Sequence, residues 1–121
     1  MSTEWIRSAT EVVVVPGGAT YNPKRRRDFT RLAVERDATA VRQIAGYVTD
    51  VAAASGPSAW MEWPSLSIAF VDGSELVTEV GILGAGEWVR LDAGDFRLAH
   101  PESVASWLRT RDVHLGEHTT G

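Results

Sequence analysis

The chain contains no cysteine, and that absence closes several routes at once. It excludes disulfides, a thiolate nucleophile and thiolate metal ligation, and it suits a reducing compartment, so the expected location is cytoplasmic. Long apolar runs are missing too. The densest, Val12 to Val15, is far short of the roughly 20 residues needed to span a bilayer. The opening residues, Met1 to Arg7, include Glu4 and lack the basic-then-apolar layout of a secretory signal. The expectation is a soluble, unexported protein with no membrane partner. Lysine is nearly absent: Lys24 is the only one, against eleven arginines.

Catalytic and phosphate-binding signatures are equally scarce. There is no Gly-x-Ser-x-Gly elbow. The strand-then-glycine stretch Val12 to Gly18 lacks the Gly-Lys-Ser/Thr ending of a phosphate loop, and Asn22-Pro23 follows where a helix would have to begin. Asp92 and Asp95 form a conceivable carboxylate pair, but Asp92-Ala93-Gly94-Asp95 reads equally well as a turn. His114 and His118 have chelating spacing, yet Gly116 and a polar tail from about residue 114 argue against a preformed metal site. No cofactor is expected, and the balance leans away from an enzyme.

What is present describes one α+β domain over residues 1–121. Its 44% hydrophobic residues suffice for a core. Glu11 to Val15 reads as a strand ended by Pro16-Gly17-Gly18, and residues 16–28 as a mobile loop. Alternation over Phe29 to Val34 allows a second strand. Asp37 to about Ser55 carries the helical stripe Val41, Ile44, Ala45, Val48, Val51 and Ala52, with Asp37 as N-cap. A three-stranded meander follows from Leu66 to Asp92. A three-residue loop, Asp72-Gly73-Ser74, would pair Phe70 with Leu76, Ile68 with Thr78 and Leu66 with Val80. The next hairpin pairs Ile82 with Val89. The core face is then Leu66, Ile68, Phe70, Leu76, Val80, Ile82, Val89 and Leu91. Pro101 opens a last helix with Val104, Trp107 and Leu108 inward. The order β-β-α-β-β-β-α specifies an antiparallel sheet with two helices packed on one face.

Three surfaces are candidates for binding. On the other sheet face, parity places Val77, Leu83, Trp88 and Arg90, an apolar patch that a partner or a second copy would cover unless Trp5 and Ile6 fold over it. Trp60 and Trp63, in Trp60-Met61-Glu62-Trp63-Pro64, suit either recognition or a plug at the end of the core. Lys24, Arg25, Arg26 and Arg27 form a basic spot beside Tyr21 and Phe29. Without them, 8 positive charges face 16 negative ones on the rest of the chain. Such charge beside rings resembles single-stranded nucleic-acid sites, although the pI of about 5.3 disfavours that partner. The leading expectation is a non-catalytic module that binds another protein or itself, as an inhibitor, immunity-type protein or regulatory subunit does. The alternatives are a small enzyme or ligand carrier with a pocket near Trp60–Trp63, and weak nucleic-acid binding through residues 24–27.

Overall fold

Four β-branched residues in succession leave neither side of a strand suited to water. In the computed structural model, which describes residues 5–17, 20–54, 64–84, 86–91 and 94–115, β1 (Glu11–Pro16) buries Val12 to Val15 on both faces of a sheet. The other strands are β2 (Ala33–Glu35), β3 (Val51–Ala54), β4 (Leu66–Asp72), β5 (Glu75–Leu83), β6 (Trp88–Leu91) and β7 (Gly94–Leu98). They form one open sheet in the order β2-β1-β4-β5-β6-β7-β3, with every neighbouring pair antiparallel. The helices are α1 (Trp5–Ser8), α2 (Ala38–Thr49) and α3 (Pro101–Arg109). The class is α+β, as the sequence indicates.

One face of the sheet carries α2 and α3. Val12 and Val14 from β1, Ile68 and Phe70 from β4, Val80 and Ile82 from β5 and Val89 from β6 meet Val41, Ile44 and Val48 of α2 and Val104 and Leu108 of α3. α2 starts where the sequence places its cap: the Asp37 carboxylate accepts from the Ala40 N–H at 3.0 Å, meeting one of the donors the first turn leaves open. Pro101 likewise opens α3. Trp107 is buried and its indole N–H donates to the Ala40 carbonyl at 3.1 Å, which fastens α3 to the first turn of α2.

Several expectations need correction. α2 ends at Thr49, not near Ser55; Val51 and Ala52 of the proposed stripe belong to β3, which pairs with β7. Alanine favours helix intrinsically, but the open edge of β7 offers hydrogen bonds that the local preference does not outweigh. β7 itself has no counterpart among the expected elements. Gly94 and Asp95 sit within it, so the proposed turn shrinks to a two-residue link between Leu91 and its partner Gly94. The second strand covers only Ala33–Glu35, and residues 23–28 ahead of it form a 3-10 segment that Asn22 caps and Pro23 opens. The element order therefore contains two more strands and one short N-terminal helix than expected.

The β4–β5 register is shifted by two residues from the expected one. Asp72 pairs with Glu75 around a two-residue turn in which Gly73 adopts a φ of 62°, a left-handed conformation that favours glycine. A β-bulge then intervenes between Phe70 and Val71, so that Phe70 faces Thr78, Ile68 faces Val80 and Leu66 faces Ile82. A turn one residue shorter and a bulge one residue longer cancel in parity. Leu66, Ile68, Phe70, Val80 and Ile82 thus keep the helix side, and the expected Ile82–Val89 pairing is present. Leu76 does not stay with them: beyond the bulge it joins Val71 on the opposite face.

Candidate functional site

The face away from the helices divides into two regions. Over β1 and β4, the chain from Tyr21 to Phe29 lies as a cover. Tyr21 and Phe29 meet edge to face at 5.2 Å and close a second, smaller core with Val13, Val15, Ala69 and Val71. The Tyr21 N–H donates to Glu79 Oε2 at 2.7 Å. Burial raises the Glu79 carboxyl above its ordinary range, and that hydrogen bond offsets only part of the effect. Burial also raises the Tyr21 phenol, with the Glu11 carboxylate acting in the same direction. Among the described residues, none before β1 belongs to this second core. The α1 backbone lies near α2 and β5, and Ala9 packs against the helix-side core; the side chains of Trp5 and Ile6 lie outside the described residues.

Over β6 and β7 an ion pair joins the two strands. Arg90 and Asp95 are cross-strand partners, and the guanidinium grips the buried carboxylate at two points, Nε to Oδ1 at 2.9 Å and Nη2 to Oδ2 at 3.1 Å. Pro64 rests against Gly81. A Cβ added to Gly81 would lie 2.8 Å from Pro64 Cγ, and one added to Gly17 would lie 1.9 Å from the Pro64 carbonyl oxygen, so both glycines are required by close approach.

These facts place the candidates from the sequence. Leu83 is fully buried and is not part of an exposed patch; Trp88, its cross-strand partner, is half-buried. Val77 is half-buried at the bulge and belongs to neither hydrophobic cluster. Arg90 is committed to Asp95. The contact surface expected from Val77, Leu83, Trp88 and Arg90 is therefore not assembled as one exposed apolar face. Trp60 and Trp63, and the pocket expected beside them, lie outside the described residues, as does His118. His114 lies 3.3 Å from Asp112, and among the described residues no group of three or more histidine or carboxylate side chains is placed to hold a metal.

The basic run is held in place by its rings. Tyr21 is only 3% exposed and faces the sheet, which leaves its ring unavailable for stacking on a base. Lys24 pairs with Glu75 at 3.6 Å and Arg25 with Asp28 at 2.9 Å, while Arg36 reaches Glu11 at 2.7 Å. Among the described residues, Arg26, Arg27 and Arg31 have no carboxylate within ion-pair distance. Residues 24–36 hold six basic and two acidic side chains, a net +4 in a chain of net −4.

Following these arginines in the chain is the part of the surface that sequence reasoning missed. Leu32 is 43% and Val34 40% exposed, and they are the large hydrophobics that the described residues leave in solvent. Both belong to the edge of the sheet, where β2 pairs on one side only, with β1. Leu32 also lines a cavity of about 400 Å³ with Pro16, Leu66 and Val113. The signal available in the sequence was Arg31-Leu32-Ala33-Val34-Glu35-Arg36, a short alternating segment bracketed by charge, which is how edge strands are guarded.

A larger groove, about 490 Å³ between α2 and α3, has no free cation among its described residues to offer a ligand. Arg111 stacks on Trp107 at 3.7 Å from the ring centroid. Its remaining donors go to Glu35, at 3.0 and 2.8 Å, to the Trp107 carbonyl and to Thr110 Oγ1. The Asp37 N–H, aided by Arg111, holds Glu35 below the ordinary carboxylate range. This cluster ties α3 to β2. No family model, curated protein or solved structure matches the chain.

Proposed function

We propose that the protein is a non-catalytic binding module that recognises an acidic partner protein through residues 24–36. The observation that carries this reading is the coincidence of exposed apolar side chains, Leu32 and Val34, with three arginines that have no carboxylate within ion-pair distance among the described residues. Apolar contact supplies affinity, and unpaired charge supplies steering and selection against wrong partners. The rest of the chain, at net −8, repels other acidic surfaces, so an acidic partner is directed to this one region.

Self-association is less favoured. Two copies meeting symmetrically at this region would bring +4 against +4. Nucleic acid would also be drawn to the arginines, but the buried Tyr21 ring weakens that reading.

The test is affinity capture from native cells with quantitative mass spectrometry, comparing wild type with Arg26→Ser/Arg27→Ser/Arg31→Ser. We expect a discrete acidic partner that is retained by wild type, released by moderate salt and lost from the triple variant. Unchanged retention by the variant overturns the assignment of this region. Nuclease-sensitive capture would favour nucleic acid instead.

A further inference from the structure

We propose that the outer edge of β2 is a strand-addition site for an acidic, extended segment of the partner. This rests on the protein-binding reading above and specifies its mode and chemistry. β2 uses one side for β1, and nothing among the described residues pairs with the other. An edge strand presents a row of backbone donors and acceptors, and an incoming extended chain completes them while alternate side chains enter neighbouring pockets. Val34 pairs with Val13, whose side chain belongs to the loop-covered core, so Val34 projects on that side of the sheet. Leu32 stands at the start of the strand and borders the cavity formed with Pro16, Ser65, Leu66, Asp112, Val113 and His114. A chain laid along β2 therefore meets one exposed apolar residue and then a recess able to hold a side chain.

Charge decides the occupant. Arg31 directly precedes Leu32, and Arg26 and Arg27 belong to the 3-10 segment that leads into this edge. A symmetric pairing of β2 with β2 would bring together two regions that each carry net +4, so self-pairing is disfavoured. An extended acidic segment neutralises the arginines, while a side chain on one of its faces lies against Val34 and one on the other face reaches the recess beside Leu32. The charged flanks that protect the edge from its own kind thus admit a strand of opposite sign.

The probe is a displayed library of random dodecapeptides, selected on the full chain; enriched peptides are then titrated by fluorescence anisotropy. The expected winners carry net negative charge and at least two apolar residues. They should lose at least tenfold in affinity for both Val34→Glu and Arg31→Glu. N-methylating alternate amides of the peptide in one phase should abolish binding, and in the other phase should leave it intact, because only one set of amides faces β2. Should Val34→Glu fail to fold by circular dichroism, Val34→Thr keeps the β-branched shape and replaces it in the comparison. Absence of enrichment, winners that are neutral or basic, or indifference to both methylation phases each overturns strand addition. If that happens while capture of the whole partner still depends on Arg26, Arg27 and Arg31, only the mode is wrong. If both fail, the protein-binding reading fails with it.

Discussion

The two faces of the sheet are stabilised by different means. Beneath α2 and α3 the contacts are almost wholly apolar, and Ile44, Ile68, Phe70, Val80 and Ile82 have no exposed surface. On the other face, buried Ser67 and Asp95 and half-buried Glu79 share space with Val13, Ala69 and Leu83. A dry face tolerates variation in partner as long as volume is conserved, whereas a polar one depends on each pairing being complete. The dry kind announces itself through residue type. The polar kind, taken residue by residue, is easily mistaken for a surface that awaits a partner.

The largest effect should come from the dry face. Phe70→Ala removes a fully buried ring and should destabilise the fold by about 3–5 kcal/mol in urea titration, with little capacity for local collapse between two layers. A loss near 1 kcal/mol would mean that the helix layer can settle into the space, and the contrast between the faces would weaken.

An intermediate effect is expected where the other face holds its ion pair. Asp95→Ala removes the two-point contact with Arg90 and should cost about 2–3 kcal/mol, less than for a fully enclosed pair because the Arg90 side chain is partly exposed. Replacing both partners, as Arg90→Met/Asp95→Leu, should recover most of that loss. Thermal unfolding of the three proteins would sharpen the comparison. If the double replacement is as poor as the single one, the pair does more than satisfy itself.

The smallest effect concerns Glu79, and its sign is informative. Its folded pKa lies above the ordinary value, so the charged form is less favourable in the fold than in the unfolded chain. Below the unfolded pKa both states are protonated and no penalty exists; as pH rises through the folded pKa the penalty develops. Glu79→Gln, which can still accept from the Tyr21 N–H, should therefore raise the melting temperature slightly at pH 7 and leave it unchanged at about pH 4. A variant less stable than wild type at pH 7 would show that the Tyr21 hydrogen bond outweighs the burial of charge.

How much of this was legible in the sequence follows from the same contrast. The Asp37 cap, the start of α3 at Pro101 and the inward residues of β4 and β5 were readable, because each depends on chemistry a few residues wide. β3 and β7 were not. Val51-Ala52-Ala53-Ala54 has no strand signature of its own and becomes a strand through pairing with β7, which in turn begins with a glycine and an aspartate that suit a turn. Leu76 was misplaced because a bulge at Val77 shifts one face against the other without leaving a glycine or proline to mark it. Leu83 and Arg90 were assigned to a binding surface because parity shows which way a side chain points but not what already lies there. The exposed edge at Leu32 and Val34 was hidden for a related reason: the position of β2 at the end of the sheet follows from the long-range order of strands, not from its own residues.

α2 leaves one consequence to draw. It runs from β2 at one border of the sheet to β3 at the opposite border, so the two strands that it joins are the two that stand farthest apart. The helix acts as a diagonal tie-rod across the sheet, and its apolar stripe has no complete seat until strands from both ends of the chain have assembled beneath it. Much of the chain's entropy must therefore be surrendered before that stripe is rewarded, which favours slow, all-or-none assembly over growth from one border. A break anywhere along α2 would uncouple the two borders together, including the one at which β2 presents its open side.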